Sequence, residues 1–510
     1  MIKVDKKENE NQDALLEIGV EEIPAGYIEP ALEQMKAAAV KLFAADGLKY
    51  EGLDVFATPR KLILFVKNLS DKSQTRYEEI LGPSLKSAKD EKGNFTRAAM
   101  GFASKYGLFP QDLKSKSTNR GDYFFFAQEI KGQKAQKLLI SIFPDIIKSI
   151  SFPKNMVWEE SGFRFARPIR SILALYGKKI IRFAIADVSA SNWTLGLRAL
   201  GNVKVPIKIP SEYVEKLKNK SVIVKQQERK EIARKSINSA VANVGHIIAD
   251  EDLLDEINYL VEYPTAVLCE FDKKFLALPK EVLAMCLRKN QKCFSVSGKN
   301  GAFTNYFVGV RNGLSQYQDI VRKGYEKVAG ARLSDAEFFY QNDLKKGLEP
   351  NVEKLKNIVF HKDIGTIHEK VLRIEKISNL IAEQMGNVDK EDLKKAVYLS
   401  KADLVSEMVF EYPQLQGTMG RIYASKLGQK EAIAKAIEEH YLPLSASGTL
   451  PAGALGLIIA FADRLDSLVA NFSVGFEPTG SADPYGLRRA GIIVVRIAQD
   501  KFPTWDIEPL

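Results

Sequence analysis

Cysteine is scarce in this sequence, and its spacing follows no motif. Cys269, Cys286 and Cys293 are the only three, and none forms a CxxC pair. That excludes a disulfide framework and a cysteine-rich zinc site, and fits a reducing compartment. Only four histidines occur, and His368-Glu369 has no second histidine four residues on, so the HExxH zinc helix is absent. A phosphate loop of the GxxxxGK-Ser/Thr type is missing too. No apolar run is long enough to cross a bilayer. The opening MIKVDKKENENQD lacks the apolar centre of a signal peptide. A soluble, cytoplasmic protein without membrane contact is the expectation. There is no internal repeat at a fixed period and no low-complexity segment.

What is present is an ordinary composition in a long chain. At 510 residues it exceeds what one core accommodates, so about two to four domains are expected. Hydrophobic residues make up 45% and charged residues 27%, the balance of a soluble protein. Lys and Arg outnumber Asp and Glu by 74 to 64, a net charge of +10. The excess favours a polyanionic partner, nucleic acid before membrane, without proving one.

Taken in order, residues 1–13 read as a disordered tail. Residues 14–20 read as a strand, and a helix follows from about Tyr27 to Ala45, with Leu32, Met35, Ala39 and Leu42 on its apolar face. Residues 53–57 and 61–67 read as strands on either side of Thr58-Pro59-Arg60. The polar stretch 70–119 yields one helix, at 96–106, followed by a strand at 122–130 and a helix at 136–149. Arg164, Arg167 and Arg170 then recur at spacing three before a strand at 171–176. They either line one groove for phosphates or make separate surface ion pairs. Helices at 222–243 and 250–259 precede strands at 266–270 and 307–310. Between those strands, Arg288-Lys289-Asn290-Gln291-Lys292-Cys293-Phe294 sets a basic cluster beside an aromatic ring. It reads as a single-strand contact or as a solvated turn. Helical periodicity dominates after Asp335, which places the main boundary near residue 345. The chain thus divides into 14–345, with possible subdivisions near 70–130 and 150–210, and 346–510.

The most unusual stretch is Leu450 to Gly491. Residues 453–471 are apolar enough for a buried helix, yet Asp463 sits in their most hydrophobic part, where a carboxylate needs a partner. Asp483-Pro484 reads as the N-cap and first position of a further helix. Arg488 and Arg489 in its first turns oppose the helix dipole, which implies an anionic neighbour. The plainer reading stands beside this one: a core helix with one solvated aspartate and two surface arginines.

Two long strings here carry a resemblance. FADRLDSLVANFSVGFEPTGSADPYGLRRAG, at 461–491, and LSKADLVSEMVFEYPQLQGTMGRIYA, at 399–424, resemble the beta subunit of bacterial heterotetrameric glycyl-tRNA synthetase. The resemblance runs from about Leu15 to the C-terminus and includes ATPRKL at 57–62, FRFARPIR at 163–170 and FLALPKEVL at 275–283. In two places the chain departs from it. Gly196-Leu197-Arg198-Ala199 stands where the family usually shows Gly-His-Arg-Phe, and Asn290 stands where a histidine often precedes the glutamine. The fold implied is α+β, with a multi-part α+β region followed by an all-helical HD-like domain. The first region would include a module similar to the RNA-handling B3/B4 domains of the phenylalanyl-tRNA synthetase beta subunit.

The resemblance also implies a subunit without its own adenylation site. Neither the HIGH nor the KMSKS-like pattern of one synthetase class occurs, and no convincing arginine-bearing motif of the other class is found. A separate alpha subunit would handle glycine, ATP and Mg²⁺ in an α2β2 tetramer. This chain would bind no cofactor, contribute no catalytic residue, and hold tRNA(Gly). Its candidate phosphate contacts are Arg60, Arg164, Arg167, Arg170, Arg288, Lys289, Arg488 and Arg489.

His361, Asp403, His440 and Asp463 follow the order of an HD phosphohydrolase, whose groups bind a divalent metal that activates water. The doublet here is Ala402-Asp403, so one nitrogen ligand is gone, and Lys401 repels a cation. The cluster is therefore expected to lie on helices or helix ends, to be vestigial and metal-free, and to pair His440 with Asp463. The alternatives are a metal-dependent phosphohydrolase and a non-catalytic RNA-binding assembly protein. Family members normally continue past the helix ending near Ala498 into a domain resembling anticodon-binding domains. This sequence stops at Leu510, so weak tRNA binding without anticodon recognition is the expectation.

Overall fold

The computed structural model of the chain describes residues 11–90, 93–479 and 483–501. The tail expected at 1–13 lies largely outside them, and Gln12–Val20 already forms the first strand. The C-terminal residues 502–510 lie outside as well.

The first unit comprises the chain up to Ile237, then Asp250–Ala266 and Val310–Gln316. Its centre is a seven-stranded sheet. In spatial order its path runs Gly52–Thr58, Lys61–Leu69, Gln12–Val20, Ile169–Tyr176, Val188–Ser191 and Ala184–Ile185, with Lys179–Ile180 paired beside Ile169–Tyr176. Neighbours are antiparallel except Val188–Ser191, which runs parallel to Ile169–Tyr176. Both faces of the first strand are covered, which explains its nearly continuous apolar run. Leu16 and Ile18 face helices Ala25–Ala45 and Ala135–Ser149 in one core, with Met35, Phe43, Leu139 and Phe143. Leu15, Ile63 and Leu173 point the other way, toward Tyr213, Leu217 and Val222. Glu17 and Lys61 share the parity of Leu15 and Ile63, so the period of two buries them on that second face.

The polar stretch after residue 70 holds more strand than its composition suggests. Arg76–Ser84, Lys114–Thr118 and Gly121–Ile130 form a separate three-stranded sheet, with Gly121–Ile130 in the middle. It closes on short helices through Ala88, Ala99, Ala103, Leu113, Phe124 and Phe126. One apolar face of a few residues is enough to order it, while Tyr77 and Leu81 stay exposed on the other.

The second unit comprises Asn238–Ala249, Val267–Gly309 and the chain from Tyr317 onward. The division therefore falls earlier than residue 345. The physical reason is a shared core: Val267, Cys269, Phe271, Leu283 and Phe307 pack in one cluster with Leu333, Ile374, Val397, Phe461 and Ile497. Hydrophobic periodicity reports the change from strand to helix, not which elements share a core. A 29-residue helix, Gln318–Lys346, opens a region whose described residues to Lys501 form helices apart from loops and a two-stranded ribbon, Val359–His361 with Gly365–Thr366. The mixed α+β character and the helical C-terminal part agree with the sequence reading. Among the described residues, no helix is long and apolar enough to cross a membrane.

Arg229 illustrates how polar groups hold the first unit. It is completely buried and, among the described residues, hydrogen-bonds no carboxylate; its guanidinium donates to the carbonyls of Asn258 at 2.9 Å, Ile223 at 2.5 Å and Val224 at 3.4 Å. Burial lowers its pKa to about 10. Replacing it with alanine strands those carbonyls, at about 1–3 kcal/mol for each one left unpaired. Urea titration of Arg229→Ala should show a stability loss of about 2–5 kcal/mol. Arg229→Lys, which lacks the fork, should recover less than half.

Candidate functional site

The ATPRKL segment turns its polar side chains inward. Thr58 Oγ1 donates to Glu262 Oε1 at 2.9 Å, and Arg60 reaches Glu262 Oε2 through Nε at 3.2 Å and Nη2 at 2.5 Å. Arg60 also donates to Asn202 Oδ1 at 2.7 Å and to the Gly196 carbonyl at 3.0 Å. Its guanidinium is buried and committed, with 6% side-chain exposure against 0% for Glu262. Arg60 is thus a structural ion-pair residue, which corrects its assignment as a phosphate contact. A buried pair of this kind is costly to break, not a surface available to solvent. Lys61 next to it donates to Thr194 Oγ1 at 2.7 Å and Glu17 Oε1 at 3.2 Å, and Tyr213 donates its hydroxyl to Glu17.

The other arginines of this unit differ. Arg164 is exposed, whereas Arg167 is half-buried and donates to the Ala166 carbonyl at 2.9 Å. Arg170 is exposed but paired with Glu21 at 3.0 Å. Glu21 also takes Arg198 at 2.6 Å, and Arg198 lies 3.5 Å from Glu22. The arginine of the Gly-Leu-Arg-Ala departure is therefore tied to the Glu21-Glu22-Ile23-Pro24 turn. The three arginines at spacing three thus stand in three different environments.

In the second unit, Arg288 and Lys289 are half-buried near the end of helix Lys280–Gln291. Lys289 donates to the Glu411 carbonyl and lies over the Tyr412 ring, 4.9 Å from its centroid. Asp483 does cap the last helix, accepting from the backbone of Leu487 at 2.8 Å and Arg488 at 3.0 Å. The helix itself begins at Leu487, later than the Asp483-Pro484 reading placed it. Arg488 and Arg489 are exposed in its first turn, donating to the carbonyls of Pro478 at 3.2 Å and Leu444 at 3.4 Å. Asp483, held below the usual carboxylate range despite its desolvation by these N–H groups and by Arg488, supplies an anionic neighbour from within the chain.

The four residues of the HD-like order have separate duties. His361 lies on the two-stranded ribbon, not on a helix, with its ring 5.5 Å from that of Tyr485. Asp403 is fully buried, and its Oδ2 accepts from the backbone of Gly417 at 2.6 Å and Gly420 at 3.2 Å. It thereby satisfies the exposed N–H groups that begin helix Thr418–Lys426. Gly417 has φ near 79°, a left-handed conformation that suits glycine. A Cβ on Gly420 would come within 2.4 Å of Ile437 Cγ2. His440 does not pair with Asp463: its Nδ1 lies 2.8 Å from the Ile437 carbonyl, and its Nε2 has no hydrogen-bond partner among the described residues. Burial, with Lys401 adding to it, pushes its pKa well below 6.5.

Asp463 is instead held by two lysines, Lys401 at 2.8 Å and Lys370 at 2.9 Å. Lys370 also contacts Asp466 at 2.9 Å, and Arg373 contacts Asp466 at 2.5 Å. Burial would raise the Asp463 carboxyl, but the two ammonium groups overcome it and hold it well below 3.8. The positive charge required by this carboxylate is built into the chain, and it repels a divalent cation from the position. Among the described residues, no group of three or more His, Cys, Asp and Glu side chains is placed to hold a metal. Arg464 completes the FADRLD pattern by donating to the carbonyls of His440 at 3.0 Å and Tyr441 at 2.8 Å. The sequence reading missed Lys370, Arg464 and Asp466. The available signal was three further charges facing or interrupting an apolar helix.

Asp403 has a testable pH signature. Burial raises its pKa from 3.8 to about 6, partly opposed by the Gly417 and Gly420 N–H groups. Between those values the folded chain holds more protons than the unfolded chain, so this group's contribution to stability falls as pH rises. The full effect amounts to about 3 kcal/mol. His440 acts with the opposite sign, losing stability as pH drops below its ordinary 6.5, because only the unfolded chain then takes up the proton. Subtracting urea titrations of Asp403→Asn from those of the native chain cancels the His440 effect. From about pH 4 to about pH 6.5 the variant should gain about 3 kcal/mol relative to the native chain.

Comparison with known proteins bears on this geometry. The family profile described as "Glycyl-tRNA synthetase beta subunit" matches residues 14–510. The "Glycine--tRNA ligase beta subunit" of Clostridioides difficile (strain 630) is 42% identical over 498 residues, covering 97% of this chain and 72% of the relative. The protein of the same name from Bacillus subtilis (strain 168) is 42% identical over 500 residues, covering 97% and 73%. That of Listeria welshimeri serovar 6b is 41% identical over 503 residues, covering 98% and 72%. The match spans the inward-turned ATPRKL segment, the Asp403 helix cap and the Asp463 ion-pair centre alike, and the chain belongs to the glycyl-tRNA synthetase beta subunit family.

Proposed function

We propose that this chain holds tRNA(Gly) through its phosphates while a separate alpha subunit binds glycine, ATP and Mg²⁺, the two assembling as α2β2 in the cytoplasm. The observation that carries the reading is the family match across residues 14–510. It makes the chain part of an aminoacyl-tRNA synthetase, a ligase joining glycine to tRNA. The absence of any adenylation motif in the sequence supports placing the activation of glycine on another subunit. The net charge of +10 and the exposed Arg164, Arg170, Arg488 and Arg489 suit a polyanion. Arg170 also rests lightly on the fold, since an exposed pair such as Arg170–Glu21 contributes about 0–1 kcal/mol and exchanges readily for a phosphate. Arg60 is left out of this set by its burial.

A phosphohydrolase reading requires a metal at the position of Asp463, which two lysines surround. Addition of Mn²⁺ should leave the melting temperature and phosphate-ester hydrolysis unchanged. A metal-dependent rise in either would restore that reading.

Aminoacylation with radiolabelled glycine should occur when this chain and its alpha subunit are mixed, and with neither alone. Charging by this chain alone would overturn the division of labour. In tRNA-binding titrations across salt, Arg164→Ala and the Arg488→Ala/Arg489→Ala pair should each weaken binding. The salt slope should flatten by about one unit for each phosphate that the variant no longer neutralises. Arg60→Ala should lower stability by about 3–5 kcal/mol, because it leaves Glu262 buried and uncompensated. In protein that remains folded, its slope should be unaltered. A normal slope in the folded double variant would remove Arg488 and Arg489 from the interface.

A further inference from the structure

Two Asn-Gly dipeptides occur in this chain, Asn300-Gly301 and Asn312-Gly313. In such a pair the main-chain nitrogen of the glycine can attack the asparagine side chain, because glycine has no Cβ to obstruct the approach. The fold treats the two pairs in opposite ways.

Asn300-Gly301 lies in the loop between strands Phe294–Ser297 and Phe303–Asn312. Gly298 N–H donates to the Ala302 carbonyl at 2.8 Å and Gly301 N–H to the Gly298 carbonyl at 2.9 Å, with Gly301 at φ near 79°. This is a three-residue hairpin loop with glycine in the left-handed position. Residues 299–302 are all exposed, and a Cβ built on Gly301 meets nothing within 4 Å, so water and hydroxide reach this peptide. Asn300 Oδ1 accepts from Ala302 N–H at 3.1 Å, which folds the side-chain carbonyl over the 300–301 peptide. The nucleophile, the Gly301 nitrogen, and the electrophile, Asn300 Cγ, are thereby kept side by side in solvent.

Asn312-Gly313 ends the second of those strands and is locked. Asn312 Oδ1 accepts from the backbone N–H groups of Glu262 at 2.9 Å and Tyr263 at 3.2 Å. Gly313 is buried, and its N–H donates to the Tyr263 carbonyl at 2.9 Å. The Asn312 side chain cannot rotate without giving up two hydrogen bonds, and the Gly313 N–H is shielded from hydroxide.

We propose that Asn300 is a site of spontaneous deamidation, at which the hairpin of the second unit is chemically altered with time. Hydroxide removes the Gly301 amide proton, and the nitrogen bonds to Asn300 Cγ. The Cγ–Nδ2 bond then breaks, and Nδ2 departs as ammonia with a proton from water, which regenerates the hydroxide. Water opens the resulting five-membered imide at either carbonyl, breaking one C–N bond and leaving an aspartyl or an isoaspartyl residue. The isoaspartyl form routes the main chain through Cβ and Cγ, one methylene longer, so the hydrogen bonds across 298–302 lose their spacing. The Ser297–Phe303 pair that the loop closes loosens first, while Phe294 and Phe307, deeper in the same hairpin, stay buried. The proposal does not rest on the tRNA reading.

The test is ageing of the full chain in mildly alkaline buffer, both native and in urea. Tryptic peptide mass spectrometry and enzymatic methylation of isoaspartyl carboxylates supply the readouts. Trypsin cuts after Lys299 and Arg311, so the two asparagines fall on separate peptides, 300–311 and 312–322. In the native chain Asn300 should convert from amide to acid at least about tenfold faster than Asn312, a barrier difference of about 1.4 kcal/mol. The rate should rise with pH, because the attacking nitrogen must first lose its proton. In urea the two dipeptides, alike in sequence, should convert at nearly equal rates. Asn300→Gln, whose longer side chain would have to close a six-membered ring, should form no isoaspartyl residue at this position. It should keep the native circular dichroism, since the position is exposed. Hydrogen exchange of the 298–303 amides should quicken on ageing of the native chain and not of Asn300→Gln. Three outcomes would each overturn the proposal: survival of Asn300 in the native chain while the urea sample converts, equal conversion of Asn312 in the native chain, or unchanged exchange once an isoaspartyl residue has formed.

Discussion

A charge taken out of water must find its opposite, and the buried ion pairs of this protein organise what surrounds them. In the helical unit, Asp463 lies in the apolar helix Ala454–Ser473 because Lys370 and Lys401 meet it there. In the sheet unit, Glu262 and Glu17 are buried because Arg60 and Lys61 meet them. Desolvation of a single carboxylate or ammonium costs several kcal/mol, and only a partner with good geometry offsets it. Each pair therefore constrains two elements far apart in sequence. Arg60 and Glu262 are 202 residues apart, and Lys370 and Asp466 are 96 apart.

This constraint accounts for the long signature strings better than a catalytic role does. In LSKADLVSEMVFEYPQLQGTMGRIYA, Lys401 neutralises Asp463, Asp403 caps the helix beginning at Thr418, and Ser406 accepts from the Val409 backbone at 3.2 Å. Gly417 and Gly420 bring their N–H groups to Asp403 where larger residues would not fit. The string is one loop-and-cap assembly written in consecutive residues. His361, Asp403, His440 and Asp463 do not come together in one cluster here, and lysines supply the cationic charge that meets Asp463.

The surface and the interior divide the basic residues between two physical roles. Arg60, Lys61, Arg229 and Lys401 are buried and hold the fold. Arg164, Arg170, Arg488 and Arg489 are exposed, where screening and side-chain freedom make each protein contact weak. Weak internal contacts leave an arginine available to a polyanion, which suits the tRNA-holding role proposed for a member of this family.

The sequence by itself determined the main elements. The short apolar run of Ala14–Val20, the helical period of Ala25–Ala45 and the longer apolar run of Ala454–Ser473 are local patterns, and local backbone geometry reads them directly. The need of Asp463 for a partner was legible too, because the cost of a buried charge depends on its immediate surroundings. Tertiary structure alone decided who the partner is: Lys370 and Lys401, not His440. It also turned Arg60 inward, although its sequence neighbourhood resembles a surface turn, and joined residues 267–309 to the helical core. Periodicity assigns a side chain to a face of its own element. Which distant element covers that face, and with what charge, is settled only when the chain closes on itself.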